Sequence, residues 1–277
     1  MRKHIFLLCF SPTLALAWGG VGHEVVCEIA FDELTPAARR EVIRLIRQDS
    51  EYRTFSASCN WPDRPRTRDI EHYLNVRRSS GAITADGCPL AEACVLSAIG
   101  ADIGVLEDPA ASDRRKLAAL KYLGHWVGDT HQPMHVSHQD DRGANWIEVS
   151  SDFCDGSLHG AWDYCLIERA LGGNSDAIAT TLRSRVTDAD RDAWIYDSPV
   201  EWANESYQIT VSPSVEYCHV QSGACWYDTD NLLLQREEER RTVVVDDAYV
   251  ALHRSTVETR LTQAGVRLGA ILNRVFR

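Results

Sequence analysis

Positive charge is in short supply in this sequence. Its 277 residues carry 29 Lys and Arg against 40 Asp and Glu, a net charge of −11, so bulk electrostatics draw no polyanion to it. A phosphate-bearing substrate would need local positive charge, which bound metal ions supply efficiently. No apolar run reaches the roughly 18 residues of a membrane-spanning helix, so no span is expected. The nine cysteines contain no Cys-x-x-Cys, the spacing typical of cysteine-zinc and redox sites. Internal repeats, low-complexity tracts and Gly/Ser linkers are also missing, which favours one domain with a large core.

The first seventeen residues have a basic start (Arg2, Lys3), an apolar stretch and Ala15-Leu16-Ala17 before Trp18. That order reads as a secretory signal peptide, with a secreted or periplasmic mature chain of residues 18–277. The competing reading, a buried N-terminal helix, conflicts with the break at Ser11-Pro12-Thr13. Removing residues 1–17 leaves 27 basic side chains against 40 acidic ones, a net charge of −13. It also leaves eight cysteines: Cys27, Cys59, Cys88, Cys94, Cys154, Cys165, Cys218 and Cys225. An even number in an exported chain suggests disulfides. The short separations 88/94, 154/165 and 218/225 favour local staples, with buried free thiols as the alternative.

Periodicity predicts a mainly α, multi-helix bundle with at most a small β-hairpin. Helices are expected over Gly22–Leu34, Pro36–Gln48, Leu90–Glu107, Ser112–Gly128, Leu158–Leu171, Asp176–Arg185, Ala189–Ser206 and Asp246–Phe276. Thr35-Pro36 and Ser112 supply N-terminal signals. The last helix carries Val250, Val257, Leu261, Ala264, Leu268, Leu272 and Val275 at spacings near three and four, a core stripe. The best strand candidate is Trp146–Val149, one arm of a hairpin. The run Glu237–Arg241 reads as solvated surface, and Asn204-Glu205-Ser206 fits a glycosylation sequon.

Histidine and aspartate cluster in four places: Trp18…His23, Asp63…His72, His125…Asp129…His135 and His159…Asp163. Residues four apart on a helix share a face, so His125/Asp129 and His159/Asp163 each present an imidazole and a carboxylate together. Both groups are zinc ligands. One such pair is commonly a surface contact. Two pairs, with His135 beyond Gln132-Pro133 and an upstream Asp63/His72 couple, favour a metal centre.

The stretches WGGVGHE, WPDRPR leading to EHYLNV, HWVGDTHQPMH with DRGAN after it, and LHGAWD resemble, in order, the motifs of the S1/P1 family of secreted zinc-dependent single-strand nucleases. The resemblance runs from Trp18 to Asp163. It implies a mostly helical fold around a trinuclear cleft holding three Zn2+. Asp63, His72, His125 and Asp129 would hold one zinc. Trp18, through its α-amino nitrogen and carbonyl, would hold a second with His23 and the bridging Asp129. His135, His159 and Asp163 would hold the third, leaving His131, His138, His219 and His253 ordinary. It also implies a Cys27–Cys59 bridge, as in the plant members, and a catalytic role for Asp63, Asp129 and Arg66, the last stabilising the pentacovalent phosphate.

For substrate, the resemblance places a base-stacking aromatic at Tyr73 and substrate contacts at Asn75 and Asn145. Asn75 falls where fungal members have an aspartate, and Ala144 where the family has glycine. For Tyr73 and Asn145 the plainer reading is packing or loop capping. The segment from Asp63 to His72 is shorter than in fungal and plant members. The expected activity is hydrolysis of phosphodiester bonds in single-stranded DNA and RNA to 5′-phosphorylated products, with 3′-nucleotidase action on nucleotides. A stacked base contributes about 1–3 kcal/mol and is hidden in a duplex. Two other readings remain open: a zinc phospholipase C on phospholipid headgroups, and a non-catalytic metal-binding structural protein.

Overall fold

A computed structural model describes residues 18–277 apart from 79, 85–86, 196–197, 222–223 and 227–240, with side chains described outside 219–240. The expected signal segment, 1–17, lies outside the described residues. Helix α1 (Gly20–Asp32) opens this part of the chain. It is followed by α2 (Pro36–Ile46), the short α3 (Phe55–Ser58), β1 (Leu74–Val76), α4 (Val95–Glu107), α5 (Asp113–His131), β2 (Val136–His138) and β3 (Glu148–Ser150). After α6 (Leu158–Gly160) come a π-helical turn at Ala161–Cys165, α7 (Leu166–Leu171), α8 (Ser175–Arg183), α9 (Asp188–Ile195) and α10 (Pro199–Thr210). The hairpin strands β4 (His219–Gln221) and β5 (Ala224–Trp226), then β6 (Thr242–Val244) and α11 (Asp247–Val275), complete it. The fold is mainly α. No described helix is long and apolar enough to cross a membrane.

Local chemistry sets the helix ends. Thr35 Oγ1 accepts the Ala38 N–H at 3.3 Å with Pro36 at the first helical position, and Ser112 Oγ accepts from Arg115 at 3.4 Å, so orphan donors of the first turns find partners. Helix α5 runs three residues beyond the expected Gly128 and ends at Gln132, the residue before Pro133, where helical backbone is disfavoured. The apolar stripe of α11 packs inward: Val257, Leu261, Ala264, Leu268 and Leu272 are fully buried, each such side chain contributing about 1.5–3 kcal/mol. Only Val275, at the end of that stripe, stays half-buried. Helix α1 lies against it so closely that a Cβ on Gly265 would come 2.5 Å from Ile29 Cβ.

Several expectations are corrected. The helix predicted over Ala189–Ser206 is two, because Ser198 and Glu201 form a capping box and Pro199 occupies the first position of α10. That signal starts a new helix and proline cannot continue the old one. Helix α4 starts at Val95 rather than Leu90, since the Cys88–Cys94 disulfide occupies the preceding turn. The strand near Trp146 is Glu148–Ser150, and its partner is no hairpin arm but Thr242–Val244 in parallel register. The small hairpin is β4–β5.

Arg241 is not solvated surface: it donates to the carbonyls of Glu216 and Tyr217 at 2.5 and 2.6 Å, while 237–240 lie outside the described residues. The sequon asparagine is engaged, its Oδ1 accepting from Ile83 N and its Nδ2 donating to Ile83 O, both at 2.8 Å. Disulfides join Cys27–Cys59, Cys88–Cys94 and Cys154–Cys165. Cys218 is disulfide-bonded as well; the side chain of Cys225 lies outside the described residues.

Candidate metal centre

Three groups of side chains converge. His23, His125 and Asp129 form one, Asp63, His72 and His125 a second, and His135, His159 and Asp163 a third, the ligand atoms of each lying within 4.8 Å of one another. Asp129 links them. Its Oδ2 lies 3.3 Å from His72 Nδ1 and 3.4 Å from His125 Nε2, and its Oδ1 lies 3.4 Å from His23 Nε2 and 3.8 Å from His135 Nδ1. His159 Nε2 is 3.5 Å from Asp163 Oδ2 across the π-helical turn.

Close backbone approach makes this density possible. On α5, Gly124 and Gly128 precede His125 and Asp129. A Cβ at Gly124 would come 2.4 Å from Cys59 Sγ, and one at Gly128 would come 2.7 Å from His23 Nδ1. The rings of His23 and His125 consequently stack at 3.8 Å. Trp18 is fully buried and is brought to the same place, since the next residue, Gly19, donates its N–H to the Asp163 carbonyl at 2.6 Å.

Main-chain carbonyls orient the imidazoles. His125 Nδ1 donates to Cys59 O at 2.8 Å, His72 Nε2 to Thr67 O at 2.9 Å, His135 Nδ1 to His72 O at 2.5 Å and His159 Nδ1 to Gly143 O at 2.6 Å. A carbonyl can only accept, so the proton of each neutral ring sits on that outer nitrogen. The inner nitrogens are left as lone pairs facing one another: His125 Nε2 and His72 Nδ1 at 3.0 Å, His159 Nε2 and His135 Nε2 at 3.2 Å.

Burial disfavours protonating any of them. It pushes His23, His72 and His125 well below the usual histidine range, His135 to about 3 and His159 to about 4. The same burial pushes Asp63 up to about 7, Asp163 to about 6 and Asp129 well above the carboxylate range. Both oxygens of Asp129, Oδ1 of Asp63, Oδ2 of Asp163 and both nitrogens of His23 have no hydrogen-bond partner. Facing lone pairs and unpartnered buried carboxylate oxygens are what a divalent cation satisfies, and the nitrogen and oxygen donor set suits zinc.

Arg66 stands at the edge, its guanidinium 3.5 Å from Asp63 and 3.3 Å from Asp69. Its charge acts on Asp63, Asp129 and Asp163 and on four of the histidines. Tyr73 and Asn75 are half-buried beside His72, Asn75 sitting in β1 opposite Ser137 of β2. Asn145 donates to Arg142 O at 2.7 Å and its Oδ1 lies 3.5 Å from Ser157 Oγ, which makes it at least a loop cap. The remaining histidines stay outside the three groups. His131 donates to Val127 O and meets Arg267 at 2.9 Å, and His253 Nε2 donates to Ser214 O; His138 stacks on Tyr217, and the side chain of His219 lies outside the described ones.

Residues that sequence reasoning missed include Gln132, which is fully buried and donates to Asp163 Oδ1 while accepting the Met134 N–H at 2.5 Å. Its place inside His131-Gln132-Pro133, just before a candidate ligand, was the available signal. Asp102, Trp126 and Arg68 form a second support. Asp102 Oδ2 accepts Trp126 Nε1 at 2.8 Å and Arg68 at 2.7 Å, and the Trp126 ring meets His72 edge-on at 4.7 Å. Nothing local in the sequence joins these three.

A helical chain with imidazoles and carboxylates packed this densely, and an arginine at their edge, is built as a hydrolase whose site could hold metal ions. The known proteins that it resembles agree. The S1/P1 Nuclease family description matches residues 18–277. Endonuclease 2 of Arabidopsis thaliana is 30% identical over 291 residues, spanning 98% of this chain and 94% of that protein. Nuclease S1 of Aspergillus oryzae is 30% identical over 193 residues, 64% of this chain and 66% of that protein. Nuclease P1 of Penicillium citrinum is 25% identical over 175 residues, 57% and 61%. The chain belongs to the S1/P1 nuclease family, and it is a hydrolase acting on nucleic acids.

Proposed function

We propose that the mature chain, 18–277, is one exported zinc-dependent endonuclease domain that cuts single-stranded DNA and RNA to 5′-phosphorylated products and removes 3′ phosphates from nucleotides. Asp63, His72, His125 and Asp129 hold one zinc; Trp18, His23 and Asp129 a second; His135, His159 and Asp163 a third. The observation that carries this reading is the two pairs of facing imidazole lone pairs, 3.0 and 3.2 Å apart, beside unpartnered buried carboxylates. The disulfides are consistent with an oxidising compartment.

Bound zinc supplies Lewis acidity toward a phosphoryl oxygen and makes water acidic near neutrality. The chain's own residues do the rest. Asp63, Asp129 and Asp163 bring three negative charges, leaving a surplus of positive charge for a phosphodiester. The Arg66 guanidinium, released from Asp63 and Asp69, donates to phosphate oxygens as charge builds on them. Tyr73 stacks on an unpaired base, and Asn75 and Asn145 contact the nucleotide. Each of the relatives above is a nuclease by name, which favours this reading over a phospholipase.

The test is to purify the processed protein, count zinc per chain, and assay single-stranded DNA, RNA, duplex DNA and phosphatidylcholine side by side. Three zinc per chain and preferential cutting of the single strands are expected. Failure of the zinc-loaded protein to hydrolyse any nucleic acid would end the reading. Turnover of phosphatidylcholine alone would replace it with the phospholipase, and metal binding without any hydrolysis with the structural protein. Residues added ahead of Trp18 should lower zinc occupancy, and full occupancy in such a protein would remove Trp18 from the site.

A further inference from the structure

The segment from Asp141 to Asn145 has an uncommon backbone. Arg142, Gly143 and Ala144 take φ angles of 56°, 67° and 64°, three left-handed residues in a row, two of them bearing side chains that disfavour this region. The turn performs two tasks. It delivers the Gly143 carbonyl to His159 Nδ1 at 2.6 Å, which leaves His159 Nε2 facing His135. It also folds the Arg142 carbonyl under the Asn145 amide at 2.7 Å. Space for an alternative is small, because a Cβ at Gly143 would lie 2.6 Å from Ser137 Oγ and 2.8 Å from the Met134 carbonyl.

Main-chain bonds from Arg142 N–H to Gln139 O and from Gly143 N–H to His138 O, both at 3.0 Å, shape the turn, and one carboxylate, 3.5 Å from Arg78 through its Oδ2, clamps it from the side. Asp141 is 2% exposed, and its Oδ1 accepts both the Ala144 N–H at 3.0 Å and the Tyr217 hydroxyl at 2.6 Å. Tyr217 comes from 76 residues further along the chain. It is 1% exposed and stacks on His138, two residues past β2's first. Arg241 fixes its main chain by donating to the Glu216 and Tyr217 carbonyls, and the Arg241 carbonyl in turn accepts the N–H of Glu148 at 2.8 Å. The phenol is therefore anchored independently of the turn whose carboxylate it meets.

We propose that Tyr217 and Asp141 are positioning residues: through Asp141 Oδ1 the Tyr217 hydroxyl locks residues 142–144 in the left-handed turn that aims His159 and presents Asn145. The proposal rests on the reading that His135, His159 and Asp163 hold a zinc ion. Groups that orient a metal-binding histidine from behind are worth about 10–100-fold in metal affinity. Gly143 also donates its N–H to the His138 carbonyl at 3.0 Å, but among the histidines of the three groups the turn's hydrogen bond goes to His159, so the effect falls on one ion of three.

The test compares wild type with Tyr217→Phe, Asp141→Ala and Asp141→Asn. Zinc is removed stepwise by a competing chelator, KM and kcat are measured on single-stranded DNA, and the Tm of the chelated protein is recorded. Tyr217→Phe should weaken one of three zinc ions about tenfold, leave the other two at wild-type affinity, and raise KM several-fold through Asn145. Asp141→Ala should do the same more strongly. Asp141→Asn, which keeps an Oδ1 acceptor, should stay within about threefold of wild type. Unchanged zinc affinities and KM in Tyr217→Phe would overturn the proposal, as would equal weakening of all three ions with a matching fall in apoprotein Tm, the mark of a general packing role. Wild-type protein that binds no zinc would instead overturn the metal reading beneath it, a result visible before any variant is made.

Discussion

His23, His125 and Asp129 ride on α1 and α5, two regular helices pressed together at Gly128, with Gly124 of α5 packed against the Cys27–Cys59 bridge that ties α1 to the end of α3. His135, His159 and Asp163 come instead from a 3-10 turn, a three-residue helix and a π-helical turn. In the first region the main-chain hydrogen bonds of the helices fix the ligands, and close packing sets their spacing. In the second, side chains take over that work: Gln132 holds Asp163, Asp141 holds the turn whose carbonyl holds His159, and Cys154–Cys165 closes the segment. Regular helices thus place Asp129, the carboxylate that faces four imidazoles, and irregular backbone, frequent at functional sites, places the outer group.

The largest effect should separate the two regions by metal count. Asp129 faces His23, His72, His125 and His135, whereas Asp163 faces His135 and His159. On the three-zinc reading proposed above, Asp129→Ala should cost at least two of the ions and more than about 10³-fold in hydrolysis, the loss of several kcal/mol of transition-state stabilisation. Asp163→Ala should cost one ion. Metal analysis with a single-stranded DNA assay checks both, and equal ion losses would erase the distinction.

Next come the two staples. Cys27–Cys59 spans 32 residues and Cys154–Cys165 spans 11. In the chain-entropy picture the longer loop stabilises by about 4 kcal/mol and the shorter by about 3 kcal/mol. Replacing each pair by serine and measuring urea unfolding of the zinc-free protein should rank them in that order. A greater loss at 154/165 would mean that the irregular half depends on its disulfide more than loop length allows.

How far these regions were readable in advance differs for the same reason. His125/Asp129 and His159/Asp163 were visible as i,i+4 pairs because a helix repeats every 3.6 residues. The π-helical turn under the second pair was not, since periodicity over five residues cannot distinguish it. The carbonyls of Cys59, Thr67, His72 and Gly143 that orient the rings belong to the main chain, which carries no residue-type signal. Asp102, Trp126 and Tyr217 act across the fold, beyond any local pattern. The pairing of β3 with β6 escaped likewise, its two strands lying far apart in sequence, whereas the break before Pro199 was available in Ser198-Pro199-Val200-Glu201 and was overridden by a periodic run.

A smaller, pH-dependent effect also divides the halves. Without metal, burial raises Asp63 to about 7 and Asp163 to about 6, above the ordinary aspartate value near 3.9. Each of these two carboxylates holds a proton in the folded protein that it has lost in the unfolded chain, a contribution to stability that is present below about pH 4 and lost as pH rises through 6 and 7. The buried histidines of the site contribute with the opposite sign, because burial holds them below their usual value near 6.5. Comparison with single variants isolates the carboxylates: in denaturation of chelated protein across pH 4–8, the stability of wild type relative to Asp163→Asn should fall as pH rises through about 6, and relative to Asp63→Asn through about 7. A difference that stays flat or rises over this window would contradict the burial argument. Zinc, which favours the ionised carboxylates, should reverse the sign of both differences.

The smallest effect tests the packing difference one methyl group at a time. A Cβ on Gly128 would stand 2.7 Å from His23 Nδ1 and 3.0 Å from His23 Cε1, atoms of a fully buried ring stacked on His125. The ring cannot retreat without losing its place beside Asp129, so Gly128→Ala should cost about 1–3 kcal/mol despite alanine's better helix propensity. On the irregular side, a Cβ on Gly160 would stand 3.0 Å from the Tyr164 hydroxyl, the far end of a side chain that is only half-buried. Tyr164 can swing, and alanine's propensity then offsets most of the crowding, so Gly160→Ala should change stability by less than about 1 kcal/mol. Thermal unfolding of the two variants measures the contrast. Equal costs would show that the π-helical turn is packed as tightly as the helices, and that side-chain clamps such as Gln132 and Asp141 add to a backbone already fixed.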